Sequence, residues 1–92
     1  MCFSRRLKLS KESLDGLDLS YRDFSSARLT QVNFQRSSLR GAIFRGAENV
    51  ACLFQDADLT DADFTDAKIF WGNFYNANET NTNFTNAKFV NR

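Results

Sequence analysis

ADLTDADFTD, residues 57–66, is a five-residue unit written twice: a small residue, an acid, a large apolar residue, threonine, an acid. The unit extends far in both directions. Counting in fives from Leu9 to Phe89 gives seventeen slots, and fifteen hold a large apolar residue, Asn49 and Glu79 being the exceptions. Eight of the ten phenylalanines fall in these slots. Two positions earlier, from Ala27 to Ala87, every fifth residue is small or β-branched, and eight of the nine alanines lie there.

A period of five suits neither common element. On an α-helix it advances about 500°, so the large residues would spiral around the axis. On a strand an odd period sends successive large residues to opposite faces. The pattern buries itself only if the chain turns once per five residues, always in the same sense.

These residues resemble the pentapeptide-repeat family, with its loose A-(D/N)-L-x-x motif. Ala57-Asp58-Leu59-Thr60-Asp61, Ala62-Asp63-Phe64-Thr65-Asp66 and Ala77-Asn78 match it closely, and the resemblance runs over about residues 17–91. It implies an all-β fold, a right-handed quadrilateral β-helix of about four coils. Each repeat would form one side, with the central and small residues inward. Residues twenty apart then stack: Phe24, Phe44, Phe64 and Phe84 in one column, Phe34, Phe54 and Phe74 in the opposite one. The expected division is an N-terminal segment, 1–16, of degenerate repeats that caps the rod with Phe3 and Leu7, followed by the β-helix over 17–92.

Composition restricts function. Ninety-two residues make one small domain, and its formal charge is +1. The chain has no histidine, which removes the commonest general acid–base and the commonest transition-metal ligand. Cys2 and Cys52 lack metal-ligand spacing and are expected as reduced thiols. No apolar run approaches the roughly 20 residues that span a bilayer, and no secretory signal is readable, so a soluble cytoplasmic protein is expected. Charge is uneven: residues 1–46 hold nine basic and four acidic groups, residues 47–92 three and seven.

Asp56, Asp58, Asp61, Asp63 and Asp66 resemble a cation site of oxygen ligands. The competing reading gives them outward and corner positions, where short polar side chains bond to nearby backbone N–H groups or stack on Asn residues one coil away. No resident metal and no cofactor are expected. Phe70 and Trp71 are more unusual, because the register points both outward. Val50, Phe70 and Val90 form an outward column, flanked by Trp71 and, around the corner, Leu53 and Tyr75; this is the candidate partner surface. Two structural explanations compete with it: cover by residues 1–13, and a bulge at Asn49 that turns Val50 inward. A bulge is likewise expected around Glu79, since a buried unpaired carboxylate is costly.

At the C-terminal end Phe84, Phe89 and Val90 form the candidate dimer contact, giving a two-fold homodimer through the last coil. The expected function is a non-catalytic binding or scaffold module with an unidentified protein partner or a second copy. Neither a membrane nor a nucleic acid is expected as partner, despite Arg36, Arg40 and Arg45 along one coil. Some family members bind type II topoisomerases as acidic rods resembling DNA; a DNA-mimicking gyrase-binding protein is the alternative, set against a near-neutral chain.

Overall fold

The computed structural model describes residues 7–91, so Cys2 and Phe3 lie outside the described residues. Five three-residue strands, β1 (Lys8–Ser10), β2 (Arg28–Thr30), β3 (Glu48–Val50), β4 (Lys68–Phe70) and β5 (Lys88–Val90), pair in parallel in chain order. Every pair is offset by twenty residues: Leu29 lies beside Leu9 and Asn49, and Ile69 beside Asn49 and Phe89. The other sides are held by isolated parallel bridges with the same offset, such as Leu53–Asn73, Asp58–Asn78 and Asp63–Asn83. The architecture is a four-sided parallel β-helix of about four coils. We number the sides in chain order from the strands, so the second carries Phe34, the third Leu39 and the fourth Phe44.

Corners come from backbone geometry. Two residues after each central residue, from Lys11 to Asn91, φ is positive without exception, between 52° and 72°. Glycine, aspartate and asparagine tolerate this left-handed region best, and they occupy ten of the seventeen corners. After the second, third and fourth sides the turn closes with an N–H donating to the central carbonyl, as from Ala62 N to Leu59 O at 3.0 Å. Between coils each central N–H donates upward, as Phe44 N to Asp63 O at 2.6 Å, and the residue before it donates downward, as Asp63 N to Ala42 O at 2.9 Å.

Inside the bore, Phe24, Phe44, Phe64 and Phe84 stack at 4.9, 4.5 and 5.3 Å between ring centroids. Phe34, Phe54 and Phe74 stack opposite at 5.0 and 4.7 Å. The two columns meet edge to face at 5.9–6.5 Å, so each ring offers an edge to its neighbour's face. The small slots bring the corners close; Ser37, buried in one of them, donates its hydroxyl to Phe34 O at 2.7 Å. Cys52 is a free buried thiol, and burial pushes its pKa up to about 11.

The degenerate repeats of the N-terminal segment join the array by Lys8, because β1 pairs with β2 and Leu14 N donates to Asn33 O at 2.7 Å. Two other readings change. Asn49 does not bulge: it is fully buried in the central slot, with Val50 beside Phe70 in register. Glu79 keeps its slot too, since Asn78 bridges Asp58 and Asn78 N donates to Ala57 O at 2.9 Å. It is half-buried in the last coil, where the carboxylate is not forced into the sealed core.

Candidate functional site

Eight outward Asp or Asn side chains, each just before a central residue, accept the backbone N–H two residues on. Asp58 accepts from Thr60 N at 3.0 Å and from its hydroxyl; Asp63 does the same with Thr65. These local bonds satisfy an N–H at the approach to each corner. The second carboxylate oxygens face the coil below: Arg45 reaches Asp63 at 2.8 Å and Arg40 reaches Asp58 at 3.5 Å. The bonds from Thr60, with help from Arg40, hold the Asp58 carboxyl below its ordinary pKa. At Asp63 partial burial pushes upward, but Thr65 and Arg45 outweigh it and the net shift is downward.

Asp56, Asp61 and Asp66 sit at left-handed corners, with φ of 60°, 62° and 61°. Asp56 accepts from Asn76 Nδ2 one coil away at 2.6 Å. Among the described residues, no three His, Cys, Asp or Glu side chains converge on a position for a metal ion. The five aspartates are thus spread over separate corners and caps. The arginines of the second coil are drawn into the same scheme, with Arg36 paired to Asp15. The spacing of eighteen between Arg40 and Asp58, and between Arg45 and Asp63, follows from a coil of twenty residues.

The structure brings the outward column together. Val50, Phe70 and Val90 are lateral neighbours on β3, β4 and β5. Phe70 is half-buried, Val90 is 41% exposed and Trp71 is 56% exposed, its ring edge-on to Phe70 at 6.1 Å. Tyr75, 77% exposed, and half-buried Leu53 lie around the corner on the second side. Residues 8–13 begin the lowest coil, with β2 between β1 and β3, so these residues do not cover the column; residues 1–6 of the expected cover lie outside the described residues. Between Trp71 and Tyr75 opens a cleft of about 670 Å³, floored by Gly72, Asn73 and Phe74 and bordered by Glu79 and Asn91. A Cβ on Gly72 would meet Phe74 Cε1 at 3.0 Å and Ile69 Cγ2 at 3.1 Å, so glycine lets the Phe74 ring settle against the corner. At the C-terminal end Phe84 and Phe89 are half-buried, whereas Phe64 and Ile69, one coil below, are fully buried.

The cleft and the left-handed corners were not anticipated from the sequence. Three glycines and a run of Asp and Asn in one phase were the available signal for the corners. Trp71 has φ of 55° at such a corner, an unfavourable place for a bulky residue.

A family model of pentapeptide repeats matches residues 13–48 in eight copies. The chain superposes on Rfr23, a pentapeptide repeat protein from the cyanobacterium Cyanothece 51142, with a TM-score of 0.89 and 25% identity, covering 91% of this chain and 57% of that one. It superposes equally on a pentapeptide repeat protein from the thylakoid lumen of Arabidopsis thaliana, with a TM-score of 0.89, 32% identity and coverage of 96% and 61%. The chain carries pentapeptide repeats and has the fold of pentapeptide-repeat proteins. This pentapeptide-repeat chain spans about 60% of the length of those two structures. No curated protein matches it in sequence. No helix of the described residues is long and apolar enough to cross a membrane.

Proposed function

We propose that this pentapeptide-repeat chain is a non-catalytic binding or scaffold module whose contact surface is centred on Val50, Phe70, Trp71 and Val90, with Leu53 and Tyr75 around the corner. One observation carries the reading: Trp71 holds a costly left-handed corner while more than half exposed, its ring edge-on to Phe70 beside the outward apolar column. Tyr21, at a comparable corner and 75% exposed, differs in that its ring lies over Gly41 one coil away. A protein partner fits such a patch, since Trp and Tyr are favoured anchors at interfaces. The setting taken with this reading is cytoplasmic, where Cys52 stays a thiol.

An affinity pull-down comparing the native chain with a Trp71→Ser/Tyr75→Ser variant tests it. Both side chains are exposed, so the fold survives and the captured partners change. An unchanged set of partners refutes the contact surface.

Self-association uses the C-terminal end of the rod and shares only Val90 with that surface. The half-buried Phe84 and Phe89, with Val90, present the end of the core, and a two-fold partner coil stacked there would bury it. Sedimentation at micromolar concentration should give a dimer; a monomer ends the proposal. The DNA-mimicking, gyrase-binding alternative draws little from the geometry, because Asp58 and Asp63 are engaged by Arg40 and Arg45 rather than displayed. Inhibition of gyrase supercoiling at high protein excess would restore it.

A further inference from the structure

We propose that the first side of the rod docks peripherally on an anionic lipid surface. The proposal rests on the contact-surface reading and names the chemistry met by its first-side half. Charge is segregated around the axis rather than only along it. All four lysines of the chain, Lys8, Lys11, Lys68 and Lys88, lie with Arg28 on the first side or its corner, and Glu48 is the only carboxylate among them. That side carries a net +4, five basic groups against one acid. The remaining described residues hold four arginines against ten carboxylates, a net −6. Three of those arginines are paired with aspartate. None of the five first-side basic groups forms an ion pair with a described carboxylate.

Beside this basic row runs the apolar one. Lys68 and Phe70, like Lys88 and Val90, are the outward ends of the same three-residue strands. Two residues of extended chain separate the rows by roughly 7 Å. The result is a five-stranded sheet face with a cationic row broken by Glu48, an adjacent row that is apolar over β3–β5 and polar at Ser10 and Thr30, and an exposed tryptophan at its edge.

Three other occupants fit less well. A second copy has no matching surface: two first sides would oppose +4 with +4, and the outward slots of the third side are polar, as at Asp58, Thr60, Asn78 and Thr80. A nucleic acid strand along the cationic row would meet Glu48 midway between Arg28 and Lys68. It would also find one exposed aromatic on that side rather than a series of stacking platforms. An acidic protein groove favours arginine, whose planar fork grips carboxylates in pairs, but this side is built mostly of lysine. A fluid anionic surface asks for no register. Lysines reach its diffuse negative potential, Val50, Phe70 and Val90 press against its apolar boundary, and Trp71 takes the interfacial depth that tryptophan prefers. The expectation of no membrane partner rested on the lack of a spanning segment, and peripheral docking needs none.

Trp71 is the only tryptophan, so its emission reports the contact directly. The full chain is titrated with phosphatidylcholine vesicles, with and without phosphatidylserine, and with a single-stranded oligonucleotide. The expected result is a blue shift and co-sedimentation with the phosphatidylserine vesicles alone, weakening as salt is added. A Lys68→Gln/Lys88→Gln variant should partition about 30-fold more weakly, taking about fivefold per basic group. Arg28→Gln, on another strand, should weaken it about fivefold and guards against a local fault in the double variant. No shift with phosphatidylserine vesicles overturns the proposal, as does equal binding to neutral vesicles. Quenching by the oligonucleotide without vesicle binding assigns the side to nucleic acid instead. Vesicle failure alongside an altered pull-down would sink this inference and leave the contact surface standing.

Discussion

Asn49→Leu should stabilise the rod. Asn49 is fully buried between Leu29 and Ile69 in the central column. Its Nδ2 donates to Lys68 O at 3.5 Å, the outer limit of a hydrogen bond, and its Oδ1 has no partner. An unmade acceptor in a low-dielectric core costs about 1–3 kcal/mol. Leucine has the same branched outline and the same number of side-chain heavy atoms, so it removes the acceptor with little change of shape, and the neighbours below and above, Leu29 and Ile69, are aliphatic. The net gain is expected at about 1–3 kcal/mol, and each kcal/mol is worth roughly 4–8 °C of Tm in a domain of this size.

Urea unfolding followed by Trp71 emission, with thermal melts by circular dichroism, measures the change. The midpoint should rise with an unchanged slope, since the surface exposed on unfolding is the same. Asn49→Val, smaller and equally free of polar atoms, separates crowding from chemistry. If leucine destabilises and valine stabilises, the slot is too tight for leucine. If both destabilise, the amide contributes to the folded state and the reasoning fails. Nothing in the structure explains why an amide occupies this slot.

Phe64→Ala should cost about 3–5 kcal/mol, because its ring is fully buried and stacked between Phe44 and Phe84; a loss under about 1 kcal/mol by urea titration would mean that the columns do not hold the coils together. Gly41→Ala should destabilise more than Gly16→Ala: both have left-handed φ, costing alanine about 1–2 kcal/mol, but only at Gly41 would a Cβ meet Tyr21, at 2.5 Å. Adding Tyr21→Ala should remove the difference in Tm between the two. Acid should unfold the rod in a defined window. Asp18, Asp23, Asp58 and Asp63 are held below the unfolded value of 3.8, so their stabilisation is complete above about pH 5 and is lost as pH falls through the lower folded values. An Asp58→Asn/Asp63→Asn variant keeps the amide-oxygen acceptors and should show a shallower loss of stability between pH 4 and pH 2, measured by urea midpoints at each pH.

The inward half of the molecule was legible because it depends on a single number. Once the period is five and the coil twenty, the phenylalanine stacks follow by counting. The outward half required more than the period. Arg40 and Asp58 could have been paired by their spacing, but reading the basic and acidic halves as opposite ends of the rod hid the contact at their boundary. The corners were harder, because the sequence seldom advertises φ. Seven of the seventeen left-handed positions hold residues other than Gly, Asp or Asn, and fold regularity imposes the conformation on them. Asp61, Asp66 and Trp71 therefore occupy equivalent corners and mean different things. The aspartates are there because a short polar side chain tolerates the turn. Trp71 is there although its side chain does not favour it. A bulky aromatic held against local preference beside an outward apolar column points outward for its reason. The lysines of the same side add the sign of the charge expected there. Burial and periodicity find the core, whereas the contact surface is found where those rules are broken at a measurable cost.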